Sequence, residues 1–237
     1  MTALTYVVIA IAMFAGGVSA GAVGFGTVLV GAPIVAFVAP HLLPVVFSLP
    51  SLTANSLVAF SERRHRDVPL LRRLVVWQLP GIVVGLWLLA QVRSDRTLGL
   101  VVSLVVLVMV GVSASPWRPA RTPTTERVAA GMAGIAGALS ATNGPPLAAL
   151  LAHDDPGLIR ATLPAYFLIA EVLLIGGWAV TGRLTAEAMT VGALSIPLAV
   201  GGAALGQRLA HRWLTPRNVR ILVLVLAATA AIRSLFG

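Results

Sequence analysis

The 237-residue chain is 58% hydrophobic and 11% charged, with a mean hydropathy of +0.94. That excludes an ordinary soluble domain and leaves an all-α integral membrane protein with almost no room for a separate soluble part. The net charge of +9 comes from 17 basic residues, all arginine, in short loops between apolar runs. Anionic lipid headgroups and topology control are their expected partners, not nucleic acid. With no cysteine, disulfides and thiol chemistry are excluded. The start, MTALTYVV, has no basic n-region, and the apolar run after it is too long for a signal peptide.

Residues 1–61 carry no Asp, Glu, Lys or Arg. At 1.5 Å per residue this is roughly 90 Å of helix, enough for two or three crossings of a bilayer. The first helix is expected over 3–38 with a break near 24–27, and the second over 42–60, containing Pro50 and Asn55. The loop ERRHRD (62–67) follows, with Arg72 and Arg73 close behind. A third helix is expected over 74–92, kinked at Pro80, and a fourth over 97–114. Three prolines in 115–126 mark a linker between repeats. The fifth helix, 127–152, is broken, and HDDPG (153–157) is a turn. The sixth covers 158–180 with Glu171 in its middle, and the seventh 187–207, kinked at Pro197. A basic connection (208–220) leads to a last apolar run, 221–232. The count is eight crossings, four per repeat, with repeats at 1–115 and 127–237 and the linker at 116–126.

The chain is organised around GIAGALSATNGPP (134–146). Ser140, Thr142, Asn143 and Gly144 are weak helix formers, and Pro145 and Pro146 lack a backbone N–H. Two half-helices meeting at a break are expected, with Asn143 capping the second. A break within a membrane is tolerated where the backbone faces protein or a watery cavity, so it is a candidate binding site. A second copy lies 116 residues earlier. Gly21 falls on Gly137, Pro40 on Pro156, Gly85 on Gly201 and Gln91 on Gln207. Thr27 stands opposite Asn143, and Asn55 opposite Glu171. Paired interrupted helices are the best sequence pointer to a transporter site. The candidate substrate contacts are Gly24, Phe25, Gly26, Thr27, Asn55, Asn143, Gly144 and Pro145. Gln78 and Gln91 fall nearer the helix ends.

Half-helix N-termini favour anions, which makes a small anion the expected substrate. Glu171 sits near the bilayer midplane, where a charge costs at least about 2.5–3.5 kcal/mol. It is expected either neutral at pH 7 or paired with a cation, and it is the candidate for proton coupling. No catalytic constellation, Walker motif or metal spacing is present, and His153-Asp154-Asp155 reads as a solvated turn. No cofactor is called for. A membrane assembly protein or an intramembrane enzyme is the alternative class.

Placing the N-terminus inside puts ten arginines on the cytoplasmic side and seven on the other, so both termini are expected in the cytoplasm of a cell-membrane protein. If each broken helix is instead a re-entrant hairpin, the repeats become inverted. A homo-oligomer is left open by the sequence.

These residues also carry a resemblance. GAVGFGT near the start, GALSATNGPPL opening the second half, RATLPAYFLIAE from Arg160, and LGQRLAHRW before the last apolar run resemble the TauE/SafE family. The resemblance implies a membrane transporter of sulfite, organosulfonates or related small anions. Two positions depart from the family pattern: Thr27 stands where Gly is expected, and Glu171 where an uncharged residue, often Asn, is expected.

Overall fold

The computed structural model describes residues 2–23, 27–61, 63–116 and 118–209. Among them the chain is helical, without strands. The helices are α1 (Ala3–Val23), α2 (Thr27–Val38), α3 (Ser48–Ser61), α4 (Val68–Gln91), α5 (Asp95–Ala114), α6 (Pro123–Ser140), α7 (Gly144–Leu150), α8 (Pro156–Val180) and α9 (Ala186–Leu209). The basic connection and last apolar run lie outside the described residues. Five helices are long and apolar enough to cross a membrane: α1, α4, α5, α8 and α9. Large apolar side chains such as Val83, Leu104, Val172 and Leu194 point outward from them, as a lipid-facing surface requires.

Local chemistry sets the helix starts. Asp67 accepts the Leu70 N–H at 2.9 Å, and Pro69 sits in the first turn, so α4 begins at Val68. This is six residues before the expected start and takes Arg72 and Arg73 into the helix. Ser94 caps α5, and Asp155 accepts the Leu158 N–H at 3.0 Å to cap α8. Thr122 and Thr125 form a capping box that opens α6 at Pro123, inside the expected linker. The second expected helix begins late, at Ser48. Two short 3-10 turns, Pro40–Leu42 and Val45–Phe47, precede it. Pro40 and Pro44 have no N–H to give, so a regular helical ladder cannot run through them.

The helix directions follow from contacts at each end. Helices α4, α6 and α8 start together. The Asp67 N–H donates to Thr162 Oγ1 at 3.2 Å, and Arg73 grips Glu126 through two hydrogen bonds of 2.7 and 3.1 Å. They also finish together. The Arg183 guanidinium donates to the carbonyls of Leu89 and Val92, and Trp178 Nε1–H donates to the Ala138 carbonyl at 3.1 Å. Because α6 and α8 run the same way, the short α7 between them runs back. Its Leu147 and Leu150 pack with Leu70, Leu74, Ala129 and Ala133 near the helix starts. An ion pair of 2.8 Å joins Arg121, before α6, to Asp154, after α7.

The α6–α7 unit is therefore a hairpin rather than one interrupted crossing. Helices α1 and α2 fold back likewise. A Cβ on Gly16 would strike the Thr27 carbonyl, and one on Gly31 would lie 3.5 Å from the Ala12 carbonyl oxygen. This first hairpin opens from the opposite end of the bundle. Tyr6 lies beside Ala186 and Glu187, at the end where α8 finishes and α9 starts, and His41 Nε2 is 3.7 Å from Glu187 Oε2.

Two expectations are corrected by this geometry. The broken helices do not each supply a single crossing. The N-terminus and the arginine cluster at 63–73 lie at opposite ends, not on one face. The reason is parity, since a segment that folds back returns the chain to the end from which it came.

The most extensive packing is α1 against α9 and α4 against α6, along two glycine seams. Gly17 abuts the Ala199 carbonyl, and Gly202 abuts that of Phe14. A Cβ on Gly134 would lie 2.5 Å from the Gln78 carbonyl oxygen, and one on Gly85 would lie 2.9 Å from that of Ile135. Equivalent seam residues are 117 apart: Gly17 with Gly134, Gly85 with Gly202, and Pro80 with Pro197. The 116-residue match is thus one residue short here. Its Gly201 has nothing within 4 Å, while Gly202 is the residue in the seam.

Candidate functional site

The tip of the second hairpin is built by residues 140–144. Ser140 ends α6 and donates from Oγ to the Ala136 carbonyl at 2.9 Å. Ala141 then adopts the left-handed region, φ 58° and ψ 15°, while its N–H donates to the Gly137 carbonyl at 2.8 Å. That conformation costs a residue with a side chain about 1–2 kcal/mol. Burial of Ala141 in the main apolar cluster, with Ala138, Leu139, Leu174 and Trp178, offsets the strain.

Asn143 occupies the N-cap position of α7, but its side chain accepts no capping hydrogen bond. The expectation that it caps the half-helix is corrected by the residues that follow. A capping side chain accepts from the N–H of the second or third helical residue. Those are Pro145 and Pro146, which have none. The Asn143 amide is left half-buried, with Nδ2 3.8 Å from the Cβ position of Gly137. Gly144 keeps its N–H at the start of α7.

Glu171 lies in α8 with only 3% of its surface exposed, and its Oε1 has no hydrogen-bond partner. One turn further, Leu174 Cδ1 lies 3.1 Å from the Cβ position of Gly137; another turn on is Trp178, bonded to Ala138. Glu171, Leu174 and Trp178 thus share the α8 face that clasps the end of α6. Asn143 and Leu174 both meet the Cβ position of Gly137, at 3.3 and 3.1 Å, and Glu171 lies one turn before Leu174 on α8.

The other expected contacts are placed less closely. Gly24, Phe25 and Gly26 lie outside the described residues. Thr27 opens α2, half-buried, and Asn55 is half-buried on α3, the helix packed most extensively on α8. Helix α5 packs on both α2 and α7, so the two return arms share one neighbour. Of the HDDPG turn, Asp154 is paired with Arg121 and Asp155 caps α8.

One residue was undervalued by the sequence reading. Gln78 is fully buried, and both of its amide atoms lack a partner. A helix expected to start at residue 74 puts Gln78 near its end, whereas α4 starts at Val68 and carries it mid-helix. The Asp67-Val68-Pro69 start signal would have placed it mid-helix.

Residues 8–234 match the family model described as Sulfite exporter TauE/SafE. The chain belongs to the TauE/SafE family. Comparison with curated proteins and with solved structures gave no match. As a TauE/SafE protein the chain is a multi-pass membrane protein from a family of transporters, in line with its five apolar spans.

Proposed function

We propose that this TauE/SafE chain is a secondary transporter of small anions of the sulfite or organosulfonate type, with Glu171 carrying a coupled proton. The observation that carries the reading is the buried Glu171, its Oε1 unpartnered, on the α8 face that clasps the second hairpin tip. A neutral Glu171 can donate a hydrogen bond near the anion, whereas an ionised one repels it, so proton and anion binding are linked. The substrate contacts are Thr27, Asn55, Asn143, Gly144 and Pro145, with Gly24, Phe25 and Gly26, which lie outside the described residues. With two prolines in the first turn of α7, anion recognition there rests on the Gly144 N–H and the free Asn143 amide.

In this reading the chain is two repeats, 1–115 and 127–237, inverted relative to each other. The seams related by 117 residues and the hairpins opening from opposite ends support it. Transporters built this way bind substrate where the repeats meet. Ten of the thirteen described arginines lie at the end where α4, α6 and α8 start; Arg93, Arg96 and Arg183 lie at the other. That bias supports a cytoplasmic arginine-rich end, with the N-terminus on the far side. Cysteines introduced at Thr2 and Ser115 of this cysteine-free chain should label from opposite sides of the membrane. Labelling from the same side would overturn the arrangement.

The functional test is Glu171→Gln in proteoliposomes loaded with sulfite. Exchange of sulfite across the membrane should persist, while accumulation driven by a pH gradient should be lost. Full pH-driven accumulation by Glu171→Gln would remove Glu171 from the coupling role.

A further inference from the structure

Three buried side chains in the α4–α6–α8 interface, Gln78, Tyr166 and Glu171, have polar atoms without partners, and the helix register puts Gln78 and Glu171 at one level. The recorded hydrogen bonds between α4 or its flanks and the α8 region join residues 91 to 95 apart in sequence: Asp67 with Thr162, Leu89 with Arg183, and Val92 with Arg183. Counted from Gln78, that spacing falls on residues 169–173, centred on Glu171. Helix α6 gives the same level independently. Gly134 abuts the Gln78 backbone, while Gly137, one turn on, abuts Leu174, one turn after Glu171. Gln78 has both amide atoms unpartnered, and Glu171 has Oε1 unpartnered.

We propose that Gln78 is the positioning residue of Glu171, the group that hydrogen-bonds its carboxyl in both protonation states. This rests on Glu171 as the proton carrier. An amide is suited to the task because its N–H is a neutral donor, which serves a carboxyl without holding it ionised as a lysine or arginine would. Protonated Glu171 accepts at its carbonyl oxygen from Gln78 Nε2–H, which leaves its O–H for the anion. When the proton leaves, the carboxylate still accepts from Nε2–H.

Charged and titratable groups on the surrounding elements lie elsewhere. Helix α3 carries none. Arg63, Arg64 and His65 in the turn before α4, Arg72 and Arg73 on α4, Glu126 and Arg127 on α6, and Arg160 and Tyr166 on α8 all lie toward the helix starts. Arg183 lies toward the helix ends, donating to carbonyls there. Of the polar side chains mid-helix on the elements around α8, Gln78 on α4 is buried with both amide atoms unpartnered, whereas Asn55 on α3 is half-buried.

The test is infrared spectroscopy of the intact protein in lipid, at acid and alkaline pH. The carboxylic C=O band of Glu171 is identified as the one missing from Glu171→Gln. In Gln78→Leu, and in the unbranched Gln78→Met, this band should move to the frequency of a carbonyl without a hydrogen bond. Both variants keep the volume but remove the partner of a buried carboxyl, so a modest loss of stability is expected and transport is compared per folded protein. In proteoliposomes, both should exchange sulfite normally while pH-driven accumulation falls about tenfold, the scale of one lost hydrogen bond to a charged group. An unmoved band in both variants, or no band lost in Glu171→Gln at either pH, overturns the pairing. If the native protein accumulates no sulfite, the transport reading fails, and the band still decides the pairing.

Discussion

The two glycine seams share a backbone plan and differ in chemistry. In both, a glycine-lined helix lies against the carbonyls of its partner, and the equivalent residues are 117 apart. In the α1–α9 seam the polar residue at the shared level is Ser195, which satisfies itself by donating to the Val191 carbonyl at 2.7 Å. In the α4–α6 seam the equivalent residue is Gln78, which satisfies neither amide atom. The α4–α6 seam is also closed at its start by ions. Arg73 grips Glu126, and Arg127 lies over the Trp77 ring with its guanidinium carbon 4.6 Å from the centroid. Helix α1 carries no charged residue at all. The α1–α9 seam does hold one unpaired group, the small Ser19 Oγ, so a duplicated scaffold can keep its packing in both halves while the larger unpaired polar side chain lies in one.

The largest expected effect breaks a seam outright. At Gly134 a Cβ would meet the backbone of Gln78 and Ile82 at 2.5 and 2.8 Å, and backbone has no rotamer with which to yield. Gly134→Leu should cost about 3 kcal/mol or more by overpacking. Monodisperse protein in detergent should be largely lost. Gly201→Leu, one residue outside the other seam with open space around it, should leave the yield and thermal midpoint unchanged. Equal damage from both substitutions would mean that the seams do not set stability.

A smaller effect tests the ionic closure that only one seam has. Arg73→Ala leaves Glu126, whose side chain is 6% exposed, with Arg121 at 4.0 Å as its remaining cation. The Arg73 side chain is itself about half-exposed, so solvent screens part of the loss. The expected cost is about 1–3 kcal/mol, between the limits for exposed and buried pairs. It would be read as a lower thermal midpoint, and it should be smaller in Glu126→Gln, which leaves no buried charge behind.

Much of this was legible in the sequence, for reasons that differ by feature. The breaks were visible because Gly-Pro-Pro after Ser-Ala-Thr-Asn leaves no regular helix possible. The direction of the chain after the break was not. The reversal turns on Ala141, a residue with no preference for the left-handed region, held there by burial among residues distant in sequence. The membership of α4 in the arginine cluster was also missed. The apolar run begins at Leu74, whereas the cap that starts the helix is Asp67, seven residues earlier. The repeat was found one residue out of register because identities such as Gly85 with Gly201 were matched by letter. The residue that packs is fixed by which helix face meets its neighbour, and that is Gly202. Glu171 was legible because a carboxyl in the middle of an apolar helix is conspicuous. Gln78 was not, because its meaning comes from having no partner, which only the packing reveals.

The smallest effect on stability should come with a large effect on transport, at Asn143. A polar side chain kept for structure is held by hydrogen bonds, and its removal costs about 1 kcal/mol or more for each. The Asn143 side chain accepts none from α7, because the prolines after it leave no N–H within reach. It is half-buried beside Gly137, so truncation opens no sealed cavity. Asn143→Ala should therefore change stability by no more than about 0.5 kcal/mol. If the amide serves the anion, sulfite exchange in proteoliposomes should fall at least about tenfold, through weaker half-saturation rather than loss of folded protein. Asn143→Asp sharpens the reading. It keeps the shape, removes both donors and adds a like charge, so it should impair exchange more than Asn143→Ala. Unchanged half-saturation in both variants would take Asn143 out of the site and leave the second tip with the Gly144 N–H alone.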